Sequence, residues 1–472
     1  MRAVPFPARS LSFRLAAVLL LVAAALLGAP PRQTAARPAG YTFDVLAALG
    51  DPVPGGGDFV FDFEPYAINA RGDVAFGADL STGGEGIFLL RKGQLMEVAR
   101  FGQPAPGGGV FGPFFIPGVP LNDPGDMAFT FVLEPFVIPI GSHAGVYRFS
   151  HVTGAVTPVF VPGVTPAPGG GVFHGATTHA SINNRGDIAF AGLVSGADIA
   201  PGPPGIDGDL RFLGAGCFTA DRRGQIANVV RPGDPAPGGG VFDFAENPWI
   251  NDAGDVAFGA HVAGEEVIDF GVPQAALIFA AESIYLKKAA TGEILSIAHQ
   301  GQPAPGGGIY RFAFGPVVNN RGQVAFVGDL TPSPGFGEDL GVFLFSGGVT
   351  VPVARPGDPM PGGGNLLRAS FFASTYHLNN AGEVSFSGRL QDGSDGLYVG
   401  SHGSPKLVAR TGTVIPGVGT IVALLPPDLV GTFPYTYIGG ASNERGQIVF
   451  TAAVDDGSGT LQGLLLTATP AP

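Results

Sequence analysis

The sequence predicts an all-β protein, a seven-bladed β-propeller with four-stranded blades, and three observations carry that reading. One motif returns seven times: an Asn, two variable residues, Gly, two more, then a small residue and Phe. Its copies begin at Asn69, Asn122, Asn183, Asn251, Asn319, Asn379 and Asn443, with successive spacings of 53, 61, 68, 68, 60 and 64 residues. A second motif, PxPGGG, starts at Pro52, Pro104, Pro166, Pro235, Pro303 and Pro359, with a degraded copy in Ile415-Pro-Gly-Val-Gly419. Finally, the two ends carry complementary fragments of one repeat. Tyr41 to Gly50 (YTFDVLAALG) reads as a fourth strand, and Gly463-Leu-Leu-Leu-Thr467 as a third. An open array needs polar caps, whereas a ring closed by one N-terminal and three C-terminal strands leaves only short edges.

Each element follows from local pattern. In the first unit an apolar stretch ends at the Asn (Tyr66-Ala-Ile-Asn69) and a second follows the Gly (Asp73-Val-Ala-Phe76). The third is Gly86-Ile-Phe-Leu-Leu90 and the fourth Met96-Glu-Val-Ala-Arg100, so each unit holds four strands of about five residues. No helical periodicity runs through them. The second strand is apolar on both faces, with Phe76, Phe129, Phe190, Phe258, Phe326, Phe386 and Phe450 in one place and mostly Ala beside them. Such a strand fits sheets stacked face to face.

NxxG reads as the turn joining the first two strands. The Asn side chain accepts from backbone two residues on, and Gly supplies a positive φ. The structural positions are therefore Asn69 and Gly72, Asn122 and Gly125, Asn183 and Gly186, Asn251 and Gly254, Asn319 and Gly322, Asn379 and Gly382, and Asn443 and Gly446. Pro124 breaks the pattern, so its hairpin is expected to differ. Calcium is weighed at Asp73, Asp126, Asp187 and Asp255, but Gln323, Glu383 and Gln447 stand at the equivalent positions, and a required hard-cation ligand does not exchange freely for Gln. No cofactor is expected. The triplets Arg71-Gly-Asp73 and Arg185-Gly-Asp187 fall inside this turn and read as part of it. PxPGGG lacks the Lys-Ser/Thr ending of a phosphate loop and precedes no helix pattern, so it reads as the connector between blades.

Composition narrows the function classes. The chain holds 77 Gly and 44 Pro among 472 residues, a level associated with disorder, but 45% hydrophobic residues, 37 Phe and only 13% charged residues require a buried core. Gly does not recur every third residue, which excludes collagen. A net charge of −13 argues against nucleic acid. Residues 1–36 read as a secretory signal peptide, with Arg2, Arg9 and Arg14 ahead of the apolar run Leu15 to Gly28 and small residues at Thr34 to Ala36. Residues 37–472 are then one propeller domain, and losing Arg2, Arg9, Arg14 and Arg32 takes the net charge to −17. The run is short for a membrane span, so the product is expected to be secreted or periplasmic, monomeric and without membrane insertion after cleavage. The single Cys217 falls where other units place Val or Ile in a strand and reads as buried packing.

Binding is expected on the face that carries the PxPGGG loops and the loops between second and third strands, where lengths vary. The long insertions there are Val194 to Ala215 and Ala263 to Ala281. Toward the central channel the ligand-binding candidates are Glu64, His179, Glu246, Trp249, Tyr376 and His377, with His174 nearby. No nucleophile elbow, zinc-type His pair or catalytic acid pair stands out, so no catalytic or metal residues are assigned. Glu64 and Glu246 are the carboxylates that would face each other in a glycosidase-like channel.

The repeat, as in Asn183-Asn-Arg-Gly-Asp-Ile-Ala-Phe190 and Asn251-Asp-Ala-Gly-Asp-Val-Ala-Phe258, resembles the choice-of-anchor tandem repeat NxxGxxAF proteins, exported by bacteria. The resemblance covers nearly all of residues 41–467 and departs only at Ser385 and Val449, which stand for the Ala. It implies a secreted or surface-attached β-rich protein with no assigned activity. Many relatives look to carry a C-terminal Pro-Glu-Pro sorting anchor; this chain ends Thr467-Ala-Thr-Pro-Ala-Pro472 without one. The functional expectation is an exported, non-catalytic propeller that binds an extracellular polysaccharide or surface protein. A polysaccharide-active hydrolase or lyase and a structural cell-surface protein are the alternatives.

Overall fold

The computed structural model describes residues 40–135, 143–195, 199–201, 210–212, 215–265, 283–332, 337–370, 377–424 and 440–471. The expected signal peptide, Tyr376 and most of the two long insertions lie outside them. Seven antiparallel sheets, each filling four strand positions, form a seven-bladed β-propeller; in blades 3, 6 and 7 the inner position is divided into more than one strand. Blade 1 is built in chain order from Phe59–Ile68, Val74–Leu80, Glu85–Arg91 and Gln94–Arg100. Blades 2 to 6 repeat that order, with inner strands that begin at Val110, Phe173, Phe242, Ile309 and Leu366. Blade 7 closes the ring: its outermost strand is Tyr41–Ala48, paired antiparallel with Leu461–Pro470 from Tyr41 opposite Pro470 to Ala48 opposite Leu464. No helix among the described residues is long and apolar enough to cross a membrane.

The strand that follows each NxxG turn runs seven or eight residues, as in Val74–Leu80 and Met127–Glu134, rather than five. Gly77, Gly192, Gly259 and Gly328 fall inside these strands. These glycines are buried in the sheet, and at Gly77 a Cβ would overlap the Phe115 ring of blade 2. The glycine there permits close approach of two blades rather than ending a strand.

The core is a set of slabs between neighbouring blades. Phe129 packs with Ile87, Leu89 and Ala99 of blade 1, whereas Ala128 packs with Phe173, Ile188 and Phe190 of blade 3. The same division holds for Phe190 and Ala189, Phe258 and Ala257, and Phe326 and Ala325. The motif Phe therefore faces the preceding blade and the small residue faces the following one. Six of the seven also stack on an aromatic of their own third strand: Phe76 on Phe88, Phe129 on Tyr147, Phe190 on Phe218, Phe258 on Tyr285, Phe326 on Phe343 and Phe386 on Tyr398, at 5.6 to 5.7 Å between centroids, whereas Phe450 lies opposite Leu466. The departure at Ser385 has a local reason, since its hydroxyl donates to Gly440 O of blade 7 at 2.8 Å.

The connectors are held from below. In Pro52 to Gly57 the three glycines have φ of 85, 94 and 86°, and Val53 N donates to Gly57 O. The Arg that ends the fourth strand then donates to carbonyls of the connector that enters its own blade: Arg100 to Gly56 O at 3.0 Å, Arg231 to Pro168 O at 3.0 Å, Arg355 to Gly307 O at 2.5 Å, and Arg410 to Gly362 O.

Candidate functional site

The two ends of the propeller channel are built differently. At the turn end each motif Asn is buried, and its side chain works in two directions. In blade 3, Asn183 Oδ1 accepts from Arg185 N at 3.0 Å and Asp187 N at 2.9 Å, which fixes the turn. Its Nδ2 donates to the main-chain oxygen of Asn251 in the next blade at 3.0 Å. The same interblade bond runs from Asn69 to Asn122, Asn122 to Asn183, Asn251 to Asn319, Asn319 to Asn379, and Asn443 back to Asn69, at 2.9 to 3.2 Å. The hairpin with Pro124 differs in one bond, as expected: Asn122 Oδ1 accepts from Gly125 N at 2.9 Å, one residue further on, because Pro124 has no N–H to offer, and keeps the bond from Asp126 N at 2.7 Å.

A second ring lies outside the first. The residue after six of the seven motif asparagines donates its main-chain N–H to the side chain at that position in the next blade, Ala70 offering no acceptor to blade 7. The bonds run Ala70 to Asp123, Asp123 to Asn184, Asn184 to Asp252, Asp252 to Asn320 and Asn320 to Asn380 at 2.7 to 2.8 Å, then Asn380 to Glu444 at 3.0 Å. Burial and the charge of Asp123 push the Glu444 carboxyl up. Three of the four carboxylates weighed for calcium are engaged by cations of the protein itself, Asp73 by Arg71 and Arg91, Asp187 by Arg185, and Asp255 by Lys288, while Asp126 Oδ1 lies 2.7 Å from His151 Nδ1. Among the described residues no group of three or more His, Cys, Asp or Glu has metal-binding geometry.

Three of the sequence candidates meet just inside these rings. The Trp249 ring stands edge-on to both His179 and His377, each at 6.1 Å. Trp249 and His377 line a cavity of about 120 Å³, together with the motif asparagines. Burial pushes both imidazoles down to about 4, so both rings are neutral at neutral pH. Gly118 of blade 2 makes room for His179, where a Cβ would collide with the imidazole. Glu246 and Glu64 occupy the same register on blades 4 and 1, opposite Gly259 and Gly77 respectively. Glu64 belongs to an acidic group: burial, and next Glu64, Asp79 and Asp62, hold the Glu85 carboxyl well above the usual carboxylate range. His174 lies on blade 3 against His143, with ring centroids 5.8 Å apart.

At the opposite, loop-rich end every inner strand slips register soon after its connector. The residues passed over are Phe61 and Asp62 in blade 1, Gly112 to Phe114 in blade 2, His174, Asp243, Arg311, Leu367 and, in blade 7, Val422. Such bulges re-aim side chains. Phe61 is the extreme case, with φ of 60° and 59% of its surface exposed. Opposite the bulges, the exits of the second strands carry Asp79, His261, Asp329 and Arg389. Asp329 is fully buried, its Oδ1 has no hydrogen-bond partner, and burial pushes its carboxyl up to about 6. None of these residues was singled out from sequence apart from His174. A signal exists, since ten residues after each motif Asn the chain reads Asp79, Val132, Leu193, His261, Asp329, Arg389 and Ala453, a variable position inside a regular repeat.

The pattern of a family of unknown function (DUF7453) matches residues 22–287 and 278–468. No curated protein matches the chain in sequence. Similar solved structures include an oligogalacturonate lyase in complex with manganese, at 15% identity and a TM-score of 0.47, covering 92% of this chain and 98% of the other. The β-propeller domain of the Trilobed protease from Pyrococcus furiosus, described as having an open velcro topology, is 11% identical with a TM-score of 0.43, covering 85% and 98%. PorZ, a surface component of the type-IX secretion system of Porphyromonas gingivalis, is 13% identical with a TM-score of 0.41, covering 88% of this chain and 47% of the other. These likenesses concern the fold alone.

Proposed function

The chain belongs to a family of unknown function (DUF7453), and from that premise we propose that it is an exported, non-catalytic β-propeller that binds an extracellular polysaccharide or surface protein through its loop-rich face. The carrying observation is the contrast between the two ends. The turn end repeats one bonding scheme from blade to blade, with its polar groups spent on neighbouring blades. The loop-rich end replaces that sameness with an aromatic, a histidine, an acid, a base and two aliphatics at one structural position. A rigid frame carrying unlike side chains at equivalent places is how propellers and other scaffolds present a binding surface. Phe61, exposed at a backbone angle that bulky residues avoid, supports the same assignment, because strain of this kind is found where function requires it.

The test is thermal unfolding of the exported chain against a panel of extracellular polysaccharides. A ligand at 100 times its Kd adds about 2.7 kcal/mol of native stability. A shift with one polymer class that is lost in Phe61→Ala supports the reading; an unchanged shift in that variant removes the loop-rich face from it. A polysaccharide-active hydrolase or lyase is the second reading, favoured by Glu85, whose carboxyl is held up beside Glu64. Turnover of a bound polymer that vanishes in Glu64→Gln or Glu85→Gln would decide for it.

A further inference from the structure

We propose that Asp243, His261, Glu265 and His299 form a proton-operated clamp on the loop-rich face, fastening the end of blade 4's second strand to its inner strand and to the connector into blade 5.

His261 is 4% exposed and sits between two acceptors. Its Nδ1 lies 2.6 Å from Asp243 Oδ1 on the inner strand, and its Nε2 lies 3.2 Å from the main-chain oxygen of Glu265 in the following turn. A neutral imidazole has one N–H, so only the doubly protonated ring donates to both. The Glu265 side chain extends the chain of charges. Its Oε2 accepts from Val262 N at 3.1 Å, and its Oε1 lies 2.9 Å from His299 Nε2. Oε1 is buried and that last contact is a close approach outside hydrogen-bond geometry. His299 Nδ1 is turned to Gln300 O at 2.8 Å, and His299 N donates to Gln302 Oε1 at 3.1 Å, which ties the connector in. From the third strand, Tyr285 senses the Glu265 charge, and Ser283 Oγ accepts from Gln300 N at 3.1 Å.

Carboxylates and imidazoles thus alternate across three elements that sequence separates by 18 to 38 residues. Burial opposes the charge on His261, yet Asp243 and Glu265 outweigh it and hold the imidazole above its ordinary value. A group raised on folding contributes stability that is complete below its unfolded value and is lost as pH rises through the folded one. Loss of one proton removes a donor from the ring and releases either Asp243 or Glu265.

The test follows imidazole nitrogen shifts of the full chain through a pH titration, beside amide exchange at Val262 corrected for intrinsic rate. The expected result is a doubly protonated His261 at pH 6.5, with Val262 protection falling as the ring deprotonates. Between pH 6 and pH 8.5 the wild-type Tm should fall by about 1–2 °C more than that of Asp243→Asn, given the size of the chain. A neutral His261 at pH 6.5, or wild type and variant with parallel Tm profiles, overturns the clamp. The nitrogen titration needs no variant, so a poorly folding Asp243→Asn would not shelter the proposal.

Discussion

Asparagine is the residue that does most in this molecule, because its amide is an acceptor and a donor in fixed opposition. The oxygen closes a local turn and the nitrogen reaches the next blade. Asn183→Ala removes the acceptor of Arg185 N and Asp187 N at a partly buried turn and one of the two donors to the Asn251 carbonyl, which keeps Gly254 N; the expected cost is about 1–3 kcal/mol in denaturant unfolding. The local half of this arrangement is legible in NxxG. The interblade half is not, since its partner lies 53 to 68 residues away in sequence, and nothing in one repeat points to another. Histidine behaves in opposite ways at the two ends. His179 is kept neutral by burial with a value lowered to about 4, so the unfolded chain binds its proton more readily. Stability is then expected to fall by up to about 3 kcal/mol as pH drops from 6.5 toward 4. A His179→Leu variant whose stability keeps the wild-type slope in that window would contradict the assignment. His261, raised by its acids, loses its contribution on the alkaline side instead.

At the scale of the blade, the pairing of a large and a small residue sets the direction in which sheets stack. Phe faces the preceding blade and Ala the following one; that this strand is covered on both sides was readable from Phe and Ala recurring together, but which blade each residue faces was not. The bulges were not readable, because the residues passed over share no chemistry. The third-strand aromatic shows how loosely such positions are specified. Phe88, Phe218 and Phe343 alternate with Tyr147, Tyr285 and Tyr398 around the ring, and the Tyr398 hydroxyl is buried with no hydrogen-bond partner. Tyr398→Phe removes a desolvated hydroxyl and keeps the stack on Phe386 at 5.6 Å. The expected outcome is unchanged or raised stability, by up to about 1–2 kcal/mol in thermal or urea unfolding.

At the scale of the whole molecule, closure rests on one strand contributed across the full length of the chain. Tyr41–Ala48 pairs with Leu461–Pro470 and helps cover the slab between blades 6 and 7, where Tyr41 and Phe43 pack. Deleting residues 41–50 exposes the Leu461–Pro470 edge, and the truncated chain is expected to aggregate or unfold early, as size-exclusion chromatography and melting would record. This closure was legible because both fragments sit at the chain ends and complete one another. The chemistry of the loop-rich face was not, since it depends on side chains brought together from several blades.

The interblade bonds of the turn end run in one sense only: six blades give to the next through the motif Asn, with Asn443 giving to Asn69, and blade 6 gives through Asn380 N to Glu444. A circuit of that kind has no first member, and where the gene happens to start is a matter of bookkeeping rather than of architecture. Gly40 and Ala471 already touch, with Ala471 N donating to Gly40 O at 2.6 Å. Joining those ends and reopening the chain within the connector from Ala298 to Ile309 should return the same propeller, with its cooperative melting intact. The circle, rather than the thread, is the unit that folds.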